Sequence, residues 1–163
     1  MESLIVDEND KPVAPGKVGE LKVRGLGNTI GYWRKQAETE AVFRDGWYYP
    51  LDLCTVDDEG FIYIVDRKKD MIITGGENVY PAEVENVLYR HPGVGQAAVI
   101  ALPDSKWGEA VTAVVQLKPG SEVGAEELRK FCKAEIASYK VPRQVLFIDE
   151  MPRSASGKIL KYR

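Results

Sequence analysis

Asp66-Arg67-Lys68-Lys69-Asp70-Met71-Ile72-Ile73-Thr74-Gly75-Gly76-Glu77-Asn78-Val79-Tyr80-Pro81-Ala82-Glu83-Val84-Glu85 is the stretch at which the chain changes style. Its first five residues are all charged, as an exposed connection requires. Met71 to Thr74 is a short apolar run ending at Gly75-Gly76. The segment Thr74-Gly75-Gly76-Glu77-Asn78 is expected to join this strand to a helix through its glycines. Pro81 opens that helix, with Glu83 and Glu85 in its first turns where negative charge suits the helix dipole. Val84, Val87 and Leu88 follow at i, i+3, i+4 and give it one apolar face.

Upstream, from Leu4 to Val65, short β-type runs are broken by turn residues. Leu21 and Val23 alternate before Gly25, Trp47-Tyr48-Tyr49 is aromatic, and Leu53–Val56 and Phe61–Val65 flank Asp57-Asp58-Glu59-Gly60, a hairpin signal. Gln36 to Phe43 reads as one short helix. This half has strands but little to pack them on, which marks it as the edge of something larger. Downstream the pattern is strand and helix by turns: strands over Val94–Leu102 and Ala110–Leu117, joined by a turn over Pro103–Gly108; a helix over about Ala125–Ala137 with Leu128, Phe131, Cys132 and Ile136 on one side; and a strand over Gln144–Ile148 before a polar tail. The chain is therefore expected to be α+β, with a β-rich part over residues 1–68 and a compact α+β domain over residues 69–163.

Composition narrows the chemistry. At 163 residues, 44% hydrophobic and 29% charged, the chain can build a core, and disorder is excluded. The longest apolar run, Ala97–Leu102, is far short of the roughly 20 residues that span a bilayer, and no signal pattern opens the chain. Cys54 and Cys132 stand outside any CxxC spacing, so no thiolate zinc site or disulfide framework is expected, and a cytoplasmic setting fits. His91, the only histidine, lies in His91-Pro92-Gly93, a helix-end grouping; a histidine-ligated metal or a Ser-His-Asp triad is set aside.

Charge is unevenly placed. Residues 1–65 carry 7 basic and 12 acidic side chains, net −5, whereas residues 66–163 carry 15 and 13, net +2. Ser138–Arg163 holds six cations, Lys140, Arg143, Arg153, Lys158, Lys161 and Arg163, against Asp149 and Glu150. Such a tail can meet phosphates but is too small for a nucleic-acid footprint. Gly25-Leu26-Gly27-Asn28-Thr29-Ile30-Gly31 is one residue off the dinucleotide spacing and reads as a turn. Ser156-Gly157-Lys158 lacks both the first glycine and the final Ser or Thr of a Walker A loop. Two features survive: Thr74-Gly75-Gly76-Glu77-Asn78, where glycines admit close approach to the backbone, and Lys158 in a loop of small residues, a mobile point charge for a phosphate or carboxylate. Taken singly, each is more often a structural turn and a solvated lysine.

Taken in order, the motifs resemble a family. Gly19-Glu20-Leu21-x-x-x-Gly25 with Gly31-Tyr32-Trp33, Asp45-Gly46-Trp47-Tyr48, Asp66 to Ile72 with Gly75-Gly76-Glu77-Asn78 and Pro81-x-Glu83-Val84-Glu85, and Pro152-Arg153-Ser154-Ala155-Ser156-Gly157-Lys158-Ile159 are similar to the C-terminal portion of the adenylate-forming, AMP-binding enzymes. Acyl-CoA synthetases are the nearest branch, because Gly75-Gly76-Glu77-Asn78 differs from the more basic segment of peptide-synthetase adenylation domains. The resemblance implies ATP and coenzyme A as co-substrates and a small carboxylic acid, fatty or aryl, as the third. It implies an acyl-adenylate formed first and a thioester second, with magnesium held mainly by a large N-terminal domain.

By the same resemblance Lys158 is the catalytic lysine, Asp52 the acceptor for the ribose hydroxyls, and Arg67 a nucleotide-side arginine. Lys69 is the hinge of a C-terminal lid. Gly75, Gly76 and Glu77 form the loop that meets the pantetheine arm, and a side chain at either glycine is expected to obstruct it. Trp107, Lys140 and Arg143 are further contacts for coenzyme A, and no metal ligand is assigned. The family's Thr-Gly-Asp at the ribose site is replaced by Pro50-Leu51-Asp52. The family's phosphate loop is absent, so residues 1–68 are expected to be the last β-rich part of a large domain, residues 69–163 its lid, and the piece inactive alone. The alternatives are a non-catalytic binding or regulatory module, and an adenylation domain of another adenylate-forming enzyme.

Overall fold

The computed structural model describes residues 1–161; Arg163, the last of the six tail cations, lies outside them. The chain divides into two compact units, Met1–Lys69 and Asp70–Arg163.

The first unit is built on strands β1 (Glu2–Val6) and β2 (Gly19–Arg24), a short helix α1 (Gln36–Val42), and strands β3 (Phe43–Arg44), β4 (Trp47–Tyr48), β5 (Asp52–Val56) and β6 (Ile62–Arg67). All pairings are antiparallel, in the order β3-β4-β2-β5-β6 with β1 on β2. The helix is one residue shorter than its periodicity suggests, because Phe43 leaves it to pair with Tyr48. Asp45 and Gly46 turn that pair at φ +50° and +79°, the left-handed geometry of a two-residue hairpin. Asp57 closes the expected β5–β6 hairpin by accepting the Glu59 and Phe61 amides. The core is small: Ile5, Val6, Val42, Tyr49, Leu53 and Cys54 are buried, whereas Leu26, Ile30, Trp33 and Ile64 are exposed.

A single 3₁₀ turn over Lys68–Asp70 leads into the second unit. Its elements are β7 (Ile72–Thr74), β8 (Glu77–Val79), α2 (Pro81–Arg90), β9 (Val94–Asp104), β10 (Gly108–Leu117), α3 (Ala125–Glu135) and β11 (Gln144–Phe147). The long β9–β10 hairpin is the spine. β11 joins β10 in parallel at Thr112–Val115, and β7 joins it antiparallel at Gly108. The apolar faces of α2 (Val84, Val87, Leu88) and α3 (Leu128, Cys132) close over Ile72, Val99, Val111 and Val115, all buried. Burying a Leu88-sized side chain completely is worth about 2 kcal/mol, so this packing and not helix propensity holds α2.

Three boundaries depart from expectation. Gly75-Gly76 does not join a strand to a helix: it turns β7 back into β8, and the helix begins only after Tyr80. The β9–β10 turn is Ser105–Trp107, shorter than Pro103–Gly108, because Asp104 Oδ1 accepts both the Lys106 and Trp107 amides. α3 ends at Glu135, where Ile136 turns extended. His91 caps α2, as its setting suggests, buried with its ring edge-on to Phe131 and its Nδ1 accepting the Gly93 amide.

Candidate functional site

In the first unit, Asp52 opens β5 and Arg67 ends β6, and the two are register partners across the ladder. Their side chains meet: Arg67 Nε lies 2.9 Å from Asp52 Oδ1, and Arg67 Nη1 donates to the Pro50 carbonyl at 3.2 Å. A carboxylate offers about four acceptor positions, so one guanidinium contact orients Asp52 and leaves capacity for ligand hydroxyls. The residue before it, Leu51, sits at φ +64°, a left-handed conformation that favours glycine. The chain supports this strained residue from the neighbouring strand end, where the Lys68 amide donates to the Leu51 carbonyl at 2.9 Å.

Lys69 follows, exposed. Immediately before it, the Lys68 ammonium reaches Glu20 Oε2 at 2.8 Å, with Arg44 at 3.9 Å from the same oxygen. Glu20 is buried, and its Oε1 has no hydrogen-bond partner. The motif Gly19-Glu20-Leu21 contains this partner of Lys68, but nothing local in the sequence pairs it with a residue 48 positions on.

In the second unit the β7–β8 turn has the φ values of a type I′ hairpin, +60° at Gly75 and +86° at Gly76. The Gly75 amide donates to the Trp107 carbonyl at 2.9 Å. A methyl at Gly75 falls 2.7 Å from Trp107 Cε3; one at Gly76 meets nothing within 4 Å. Within this chain a side chain is therefore blocked sterically at Gly75, whereas Gly76 is constrained by φ alone. Glu77 is exposed beside them.

Trp107 is gripped from several sides. Arg143 stacks over its ring at 4.2 Å and Lys106 at 4.9 Å, while Asp104 holds its amide at 2.9 Å. Those backbone donors hold the Asp104 carboxyl below its ordinary range. Arg143 Nε is buried without a hydrogen-bond partner. Lys140 is placed differently: its ammonium lies 2.7 Å from both Glu83 carboxylate oxygens and is largely covered. Burial pulls the Lys140 pKa down, but the Glu83 carboxylate more than offsets it, and the net shift is upward. Lys140 is a cation already neutralised by α2.

Lys158 stands on a hairpin of the tail. Ser154 N donates to Lys158 O at 2.8 Å, Gly157 N to Ser154 O at 2.9 Å, and Leu160 N to Pro152 O at 2.9 Å, with Arg153 and Ile159 bridged. Gly157, at φ +82°, makes the turn. Among the described residues the Lys158 ammonium has no ion-pair partner, and the residue is exposed. Sequence reasoning finds Lys158 and Arg153 but does not pair Arg153 with the Gly157 carbonyl and Gln96, to both of which its guanidinium donates.

Cys54 and Cys132 are buried and unpaired, their thiols pushed up to about 11 by burial, which disqualifies both as nucleophiles near neutrality. Among the described residues no group of three His, Cys, Asp or Glu side chains converges as a metal cluster would. No helix among them is long and apolar enough to cross a membrane.

The chain thus presents an Asp52–Arg67 pair, a glycine hairpin packed under Trp107, and, among the described residues, a lysine without an ion-pair partner on an exposed hairpin. Residues 83–158 match the family of AMP-binding enzyme C-terminal domains. Residues 83–158 thus form an AMP-binding enzyme C-terminal domain, and over nearly its whole length the chain is similar to adenylate-forming CoA ligases. A feruloyl-CoA synthase from Amycolatopsis is 50% identical over 151 residues, covering 93% of this chain and 31% of that protein. A long-chain-fatty-acid–CoA ligase from Escherichia coli O157:H7 is 44% identical over 160 residues, 98% of this chain and 28% of that one. Among solved structures, the o-succinylbenzoate CoA synthetase of Bacillus subtilis in complex with its acyl-adenylate intermediate superposes with a TM-score of 0.90 at 39% identity, covering 98% of this chain and 33% of its own. The chain spans about a third of the length of the curated relatives it matches.

Proposed function

We propose that this chain supplies the ribose-holding edge and the lid of an ATP-dependent, AMP-forming acid–CoA ligase acting on a fatty or aryl carboxylic acid. The carboxylate attacks the α-phosphate of ATP, forming an acyl-adenylate and releasing pyrophosphate; the thiol of coenzyme A then attacks the acyl carbon and AMP leaves. Negative charge grows between the carboxylate and α-phosphate oxygens in the first step, and a fixed cation there stabilises the transition state more than the ground state. Lys158 is that cation. The observation carrying the reading is its exposed ammonium beside the Ala155–Gly157 turn of a hydrogen-bonded hairpin: among the described residues it has no ion-pair partner to abandon when an anionic centre is offered.

Asp52, oriented by Arg67, accepts the two ribose hydroxyls. Lys69 is the point at which the chain turns the second unit between half-reactions, with Lys68 tied to Glu20 as its fixed foot. Gly75, Gly76 and Glu77 line the path of the pantetheine arm, and the Trp107–Arg143 stack offers a flat cationic surface to the nucleotide end of coenzyme A. The exposed apolar side chains Leu26, Ile30, Trp33 and Ile64 fit packing of the first unit within a larger enzyme. Two free buried thiols suit a reducing cytoplasm.

The test is Lys158→Ala in the complete enzyme. Adenylation, read as ATP–pyrophosphate exchange, is expected to fall by at least about a hundredfold, as for loss of a single transition-state donor. Thioester formation from supplied acyl-adenylate is largely kept. Undiminished exchange in the variant refutes the assignment.

A further inference from the structure

Lys158 sits among residues that give it no anchorage of their own. Ser154, Ala155, Ser156 and Gly157 bury no large apolar side chain, and the hydrogen bonds within the hairpin fix its shape without fixing its place. Its feet are tied to the body of the second unit. Met151 is buried and its amide meets Gln116 Oε1 on β10 at 3.4 Å, while Lys161 pairs with Glu85 of α2 at 2.7 Å. Between these feet, one side chain joins the turn itself to the sheet. The Arg153 guanidinium donates through Nη1 to the carbonyl of Gly157, the residue before Lys158, and through Nη2 to Gln96 Oε1 on β9. Gln96 and Gln116 are register partners on β9 and β10, so the two side-chain amides form one shelf that receives the hairpin.

We propose that Arg153 is a positioning residue for Lys158: its planar fork spans the Gly157 carbonyl and Gln96, and so sets where the Lys158 ammonium is delivered. A guanidinium holds two acceptors in a fixed mutual orientation, which an ammonium cannot do. Arg153 itself touches no reacting atom in this scheme. The inference rests on reading Lys158 as the adenylation lysine, and it deepens that reading by naming what aims the lysine.

Two measurements test it. In the 163-residue chain, backbone order parameters at Gly157 and Lys158 are expected to fall from the rigid range near 0.85 to below about 0.6 in Arg153→Ala, while those of β9 and β10 stay unchanged. Gln96→Ala should loosen the same residues, and the double variant should add little to either single one. In the complete enzyme, Arg153→Ala is expected to lower ATP–pyrophosphate exchange by between about tenfold and a hundredfold, the scale of a misplaced catalytic group, without slowing thioester formation from supplied acyl-adenylate. Arg153→Lys should restore only part of the loss, and Arg153→Ala should cost nothing further in a Lys158→Ala background. An unchanged loop, an unchanged exchange rate, or equal losses in both half-reactions overturns the proposal. Full adenylation by Lys158→Ala overturns the reading beneath it; that failure is distinguishable, because the order parameters do not depend on catalysis.

Discussion

Gly75→Ala isolates the contact between the glycine hairpin and Trp107. Two costs arise together. At φ +60° a Cβ costs about 1–2 kcal/mol. The new methyl also falls 2.7 Å from Trp107 Cε3 and 3.1 Å from Cζ3, inside van der Waals contact, so the ring must shift. It has little freedom to do so, with Arg143 on its ring at 4.2 Å and its amide on Asp104 at 2.9 Å. Overpacking of this kind costs about 1–3 kcal/mol. Loss of glycine's freedom in the unfolded chain returns about 0.4–1 kcal/mol. The net expectation is a destabilisation of about 3 kcal/mol.

Gly76→Ala is the internal control. At φ +86° and with nothing within 4 Å, it suffers the backbone penalty alone, about 1 kcal/mol net. Urea unfolding followed through amide signals of β9 and β10 reads the second unit by itself. In a Trp107→Ala background the Gly75→Ala penalty should shrink to that of Gly76→Ala, a coupling of about 2 kcal/mol. Equal penalties at the two glycines, or a Gly75 penalty undiminished without the indole, would refute the argument that Trp107 holds this turn.

Three further outcomes follow from the same structure. At position 51, Leu51→Gly should be more stable than Leu51→Ala by about 1 kcal/mol, reversing the usual order, since both lose the side chain but only glycine relieves φ +64°; thermal unfolding of the two variants decides it. Asp104 has a folded pKa depressed by the Lys106 and Trp107 amides, so its contribution is complete above its ordinary value of 3.8 and is lost as pH falls below that. Tryptophan emission should show an acid step in that range that disappears in Asp104→Asn. With thiols at about 11, Cys54 and Cys132 carry roughly one thiolate in a thousand at pH 8, so native labelling should be over about a hundredfold slower than for a free cysteine; rapid labelling of either before unfolding contradicts their burial.

Much of the framework is local in origin and was therefore readable. The 3.6-residue spacing of Val84, Val87 and Leu88 and the proline at position 81 set α2, and the Asp57–Gly60 cluster set the β5–β6 hairpin. The Gly75-Gly76 turn misled because glycines mark a reversal without saying which element follows it. Its type I′ φ values, which match the twist of two paired strands, make it a β-hairpin.

The sequence by itself, through the order of its motifs and the family they resemble, marked the side chains proposed to carry chemistry: a carboxylate at 52, an arginine at 67, glycines at 75 and 76, and a lysine at 158 among small residues. Tertiary structure decided which of those charges are free. Lys140 and Lys158 belong to one basic tail in the sequence, yet Lys140 is consumed by Glu83, 57 residues away, and Lys158 is left unpaired among the described residues. Arg153 finds its acceptor Gln96 across the same separation. Pairing at that distance depends on which strands and helices pack together, and no spacing along the chain encodes it, because an ion pair is set by ångströms in space and not by residues in line.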